Sequence, residues 1–110
     1  MSRIVVAVVT TTVLGALSGP ASAQTDRGQQ VFAAQKCSMC HAVAGKGNAK
    51  GPLDGVASKY SAADLKEWIV NPKGMTEKTK AMRKPAMRDF SALPAADVDA
   101  LVAYMQTLKK

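Results

Sequence analysis

The sequence predicts an all-α domain, and three observations carry that prediction. Apolar residues recur at helical spacing in separate stretches, most clearly in the last one. No stretch alternates with the period of two that a strand shows, and no internal repeat is present. The chain has 110 residues, enough for one domain with one small core.

The first stretch stands apart from that domain. Met1-Ser2-Arg3 is a short basic start, residues 4–17 are an apolar and threonine-rich run, and Ser18-Gly19-Pro20 breaks it. Ala21-Ser22-Ala23 is a small-x-small cleavage site, so residues 1–23 read as a secretory signal peptide with Gln24 as the mature N-terminus. The apolar run is shorter than the roughly 20 residues that a membrane span needs. Residues 24–110 are then the folded domain, exported to a bacterial periplasm, with no stable span after cleavage. Loss of Arg3 leaves it one unit below the +7 of the whole chain.

Thr25 and Asp26 are N-cap residue types for a first helix. Gly28, Val31 and Phe32 follow at spacings of three and four. Gly28 marks either a close approach by another element or a loose first turn. Residues 44–56 hold Gly45, Gly47, Gly51, Pro52 and Gly55 and read as a loop. Ser61-Ala62-Ala63-Asp64 resembles a capping box, and Leu65, Trp68 and Ile69 form one face of a short helix. Asn71-Pro72 ends it, because a residue before proline is pushed out of the helical region. Residues 73–88 show no apolar periodicity and read as an extended basic loop carrying Met75, Met82 and Met87. In the last helix, Pro94 to Lys109, Val98, Leu101, Val102 and Met105 form one stripe.

The chemistry concentrates in Cys37-Ser38-Met39-Cys40-His41. The spacing C-x-x-C-H is that of c-type haem attachment. Two thiols three positions apart can each add to a vinyl group of the porphyrin, and the following histidine can ligate the iron from one face. A disulfide across so small a loop would stabilise little. A redox-active pair would call for a strand pattern that is missing here. The chain holds two cysteines and one histidine, too few for a zinc site. One covalently attached haem c would also supply the planar apolar body that Phe32, Tyr60, Trp68, Phe90 and Tyr104 are too few to provide. Pro52 has a free carbonyl that could accept the second ring N–H of His41, or it is an ordinary turn proline.

These residues together resemble the small class I c-type cytochromes. The resemblance rests on Gly28 and Phe32 ahead of the Cys37–His41 motif, and on Gly51-Pro52-Leu53-Asp54-Gly55. It continues through Trp68-Ile69-Val70-Asn71-Pro72-Lys73, Lys84-Pro85-Ala86-Met87 and Leu101-Val102-Ala103-Tyr104-Met105. It implies the cytochrome c fold: N- and C-terminal helices crossing near one covalently bound haem, a short middle helix and long loops. Gly28 would be the small residue at that crossing, with Leu101 and Tyr104 opposite. Pro52 would be the carbonyl partner of His41. The second axial ligand would be a methionine, with Met87 matching the family's spacing to the last helix, Met82 next and Met75 too close to the middle helix.

The implied function is a periplasmic electron carrier, not an enzyme, with His41 and Met87 on the iron. The alternatives are a haem protein with an open distal side that binds a gas or peroxide, and a fixed cytochrome subunit of a periplasmic dehydrogenase. The positive charge points to redox partner proteins with acidic docking surfaces and a monomeric carrier. Export argues against nucleic acid as the partner.

Overall fold

The computed structural model describes residues 21–109. Helix α1 (Ala21–Ala34) leads through a 3₁₀ turn (Cys37–Met39) into a two-stranded antiparallel hairpin, β1 (Ala42–Val43) and β2 (Lys46–Gly47). Four helices follow: α2 (Val56–Lys59), α3 (Ala62–Val70), α4 (Pro72–Thr79) and α5 (Ala95–Gln106).

The domain is built on α5. Its stripe of Val98, Leu101, Val102 and Met105 is buried, with Val31 of α1 and Leu65 and Ile69 of α3 packed against it. Helix α1 crosses α5 at Gly28. A Cβ there would fall on the Ala100 carbonyl and on Tyr104 Cβ, so only glycine allows the two backbones to approach. The expected crossing is therefore present, with Ala100 and Tyr104 nearest and Leu101 in the adjoining core. Phe32 and Tyr104 meet edge to face at 5.7 Å beside it. An exposed ion pair, Arg27–Asp97 at 2.9 Å, links the same helices and contributes only about 0.2–1 kcal/mol.

Ser61 Oγ accepts from the Asp64 amide at 3.2 Å and starts α3 as expected. Helix α3 ends at Asn71, whose amide donates to the Glu67 carbonyl at 2.7 Å. The same residue then starts α4. Its Oδ1 accepts from the Gly74 amide at 3.2 Å, and Pro72 occupies the first helical position. This corrects the reading of residues 73–88 as one extended loop. Asn-Pro both stops one helix and caps the next, because proline suits a first turn where no N–H is needed. Only residues beyond Thr79 lack regular structure, up to α5.

Two further expectations change. The short hairpin was not foreseen, since two-residue strands carry no periodicity. Thr25 and Asp26 lie within α1 rather than capping it, because Ala21 to Ala23 extend the helix upstream. Of the signal-peptide reading, residues 1–20 lie outside the described residues.

Candidate functional site

The turn that follows α1 places the two thiols. Lys36 adopts a left-handed conformation (φ 56°) and swings the chain into the 3₁₀ turn. In such a turn residues i and i+3 stand one above the other, so Cys37 and Cys40 face the same way. No disulfide joins the two cysteines, of which Cys37 is partly buried and Cys40 exposed. Burial pushes the Cys37 thiol above its ordinary pKa, against the pull of the Arg88 charge. The His41 amide closes the turn on the Cys37 carbonyl at 2.9 Å.

His41 is held by backbone. Its Nδ1 lies 3.1 Å from the Gly51 carbonyl, an acceptor only, so Nδ1 carries the proton and Nε2 keeps its lone pair. Burial, helped by the Arg83 charge, lowers the imidazole pKa below the ordinary 6.5, while the bond to Gly51 opposes that shift. The neutral imidazole that results is the form that binds a metal. The acceptor is Gly51, not Pro52, which corrects the expected partner. The reason is a parallel bridge between Ala42 and Pro52. The Ala42 amide donates to Gly51 O at 3.0 Å and the Leu53 amide to Ala42 O at 2.8 Å. That register sets the residue before Ala42 beside the carbonyl before Pro52. Asn48 completes the cradle, its amide shared between the Ser38 and His41 carbonyls and its Nδ2 donating to Met39 O at 3.1 Å.

Cys37, Cys40, His41 and Pro52 line one largely apolar cavity of about 530 Å³. Leu65, Trp68 and Ile69 of α3 and Leu101 and Met105 of α5 form other parts of its wall. Of the three methionines weighed as ligands, Met87 is on this wall. Met82 is 87% exposed and off the wall, and Met75 is buried in α4 with 4% exposed. Met105, part of the buried α5 stripe, also lines the cavity.

The cavity fits the group that the motif implies. Two thiols, a neutral imidazole and the thioethers of Met87 and Met105 all line it. Trp68 Nε1 is buried with no hydrogen-bond partner, alone in that respect among the described residues. A buried indole N–H left so costs free energy unless a ligand supplies the acceptor, and the carboxylate rim of a haem is such an acceptor. Among the described residues no cluster of three or more His, Cys, Asp or Glu side chains could hold a bare metal ion. No described helix is long and apolar enough to cross a membrane.

Sequence reasoning missed Gly51, Arg83 and Arg88. Gly51 is buried, and a Cβ on it would strike the Cys40 carbonyl and the Arg83 guanidinium. Arg83 Nη2 donates to the Cys40 carbonyl. Nothing local in the sequence separates these arginines from the other cations of a basic run.

Comparison with known proteins agrees with the geometry. The family described as cytochrome c matches residues 25–109. The chain is 32% identical over 99 residues to cytochrome c oxidase subunit 2 of Alkalihalophilus pseudofirmus, a match that covers 82% of this chain and 27% of that protein. It thus spans about a quarter of that relative's length. No solved structure gives a significant match. From residue 25 to residue 109 the chain belongs to the cytochrome c family, a mostly helical domain whose cofactor is covalently attached haem c with its iron.

Proposed function

We propose that this protein is an exported, periplasmic electron carrier with histidine–methionine ligation, bound through Cys37 and Cys40 and ligated by His41 and Met87. The observation that carries the reading is the shared cavity, with the Cys37–His41 turn and Met87 on one wall system and Met82 outside it. The haem, when bound, supplies a one-electron iron couple. Met87 as a ligand together with His41 would raise its potential. The chain does the rest. Thioethers from Cys37 and Cys40 and the Gly51-held imidazole of His41 would fix the group in place. The α3 and α5 side chains exclude water, which limits reorganisation when the charge changes. The Trp68 indole N–H, buried without a partner, would donate to the carboxylate rim of the haem. With His41 and Met87 both on the iron, no substrate would reach it, and the protein would act in transfer rather than catalysis.

The leader reading belongs to this proposal as well: cleavage after Ala23 gives a mature chain that begins at Gln24. Mass measurement of the exported protein tests it.

The decisive experiment is the absorption spectrum of the ferric holoprotein beside that of Met87→Ala. Wild type is expected to show the weak long-wavelength band of sulfur–iron ligation, and Met87→Ala to lose it. A wild type without the band, or a variant that keeps it, overturns the ligand set. Ready binding of carbon monoxide by the ferrous wild type would favour an open distal site.

A second reading draws on the match to an oxidase subunit. In it the domain works inside a fixed electron-transfer complex rather than as a free shuttle. Co-migration of the native protein with a large complex would support it, and migration as a free monomer would favour the shuttle.

A further inference from the structure

Met87 sits in a segment that no ladder holds. From Ala81 to Asp89 the chain has no helix or strand. Backbone bonds secure its ends: the Ala81 amide donates to Thr76 O at 3.1 Å and the Phe90 amide to Ile69 O at 3.0 Å. Between them two side chains reach across the molecule. Arg83 Nη2 donates to the Cys40 carbonyl, 43 positions away in sequence. Arg88 Nη2 donates to the Gln35 carbonyl at 3.1 Å, 53 positions away.

The placement of these acceptors matters. Gln35 and Cys40 flank the start and the end of the attachment turn, and Arg83 and Arg88 flank Met87. The Arg83 guanidinium also lies where a Cβ on Gly51 would be, against the residue whose carbonyl holds His41. The Arg88 guanidinium stands 5.3 Å from the Phe90 ring centroid, over the residue that anchors the far end of the segment. The ion pair found among the described residues is Arg27–Asp97, so neither of these arginines is committed to a carboxylate there.

We propose that Arg83 and Arg88 are positioning residues that strap the Met87 segment to the haem-attachment turn and set how readily the thioether is displaced from the iron. The inference rests on Met87 as the distal ligand. A thioether is a weak neutral donor, and its retention depends on the freedom of the segment that carries it. Opening the segment must break both straps. Hydrogen bonds from a charged donor are stronger than neutral ones, and their carbonyl acceptors carry no net charge for salt to screen. Each strap therefore shifts the balance between a closed, ligated segment and an open one.

The test is an imidazole titration of the ferric holoprotein, in which imidazole competes for the methionine position. It compares wild type with Arg83→Gln, Arg88→Gln, the double variant, the lysine replacements and Met87→Ala. Each glutamine variant is expected to bind imidazole about three- to tenfold more tightly than wild type, the double variant more tightly still. The lysine variants, which keep one charged donor, are expected to fall between. The long-wavelength sulfur–iron band should fade in the same order as imidazole is added. Arg27→Ala, which removes only the exposed α1–α5 ion pair, should leave the titration unchanged. Wild-type affinity in all the arginine variants, with much tighter binding in Met87→Ala, overturns the strap and leaves Met87 as ligand. Wild-type affinity in Met87→Ala as well overturns the ligand assignment and the strap together. Where a glutamine variant fails to load haem, the lysine variant at that position carries the same comparison.

Discussion

At Gly28, Gly47 and Gly51 a Cβ would strike main-chain atoms of another stretch. At Gly28 the neighbour is the Ala100 carbonyl, which belongs to α5 and cannot move by itself. Gly28→Ala would gain up to about 1 kcal/mol in helix propensity. Overpacking of a tight contact costs typically 1–3 kcal/mol, and here the obstacle is main chain, so the cost wins. The expected result is a net loss of roughly 1–2 kcal/mol, read as a lower urea midpoint with an unchanged slope. The close approach at Gly28 was legible from the sequence as one of two options. The identity of the His41 partner was not. Choosing between Gly51 and Pro52 requires the Ala42–Pro52 bridge, a contact across ten residues that no local pattern announces. The same holds for Arg83 and Arg88, whose acceptors lie far upstream in the chain.

Helices differ in how plainly their sequences announce them. Helix α5 carries a full buried stripe, so periodicity alone found it. Helix α3 has Leu65 and Ile69 inward and a serine cap, and it was found as well. Helix α4 buries only Pro72 and Met75, too few for a stripe, and its signal is the capping chemistry of Asn71. That asparagine serves two helices with different atoms, which makes its two roles separable. Asn71→Ala removes the Oδ1 acceptor and is expected to destabilise the protein by about 1 kcal/mol. In hydrogen exchange the Gly74 amide should lose protection, since it bonds the side chain. The Met75 amide bonds the Asn71 backbone carbonyl and should keep most of its protection. Equal loss at both amides would mean that α4 depends on the cap for its existence.

Over the whole chain, 15 lysines and arginines stand against 8 aspartates and glutamates. Arg83, Lys84 and Arg88 lie on the segment that carries Met87, and Arg83, Lys50 and Lys59 line the cavity itself, so positive charge accompanies it. Steering by such a field speeds encounters with an acidic partner and is screened by salt. Electron transfer to an acidic redox protein is therefore expected to slow by roughly tenfold between millimolar and physiological ionic strength. A rate that does not change with salt would show that the charge serves solubility alone. Fold class, attachment motif and a methionine on the cavity wall were all readable from sequence, because each is a local pattern or a family spacing. What holds those parts against one another was not, because it is written in contacts between distant carbonyls and side chains.

Trp68 gives this architecture an optical consequence. It is the chain's one tryptophan, and it lines the cavity with its indole nitrogen unpaired. A porphyrin bound beside it would drain its excited state, so the folded holoprotein is expected to emit almost no indole light. With the proposed attachment through Cys37 and Cys40, emission would return only when the α3 wall parts from the tethered haem. A single fluorophore thus serves as a built-in ruler between the middle helix and the attachment turn, and it needs no label.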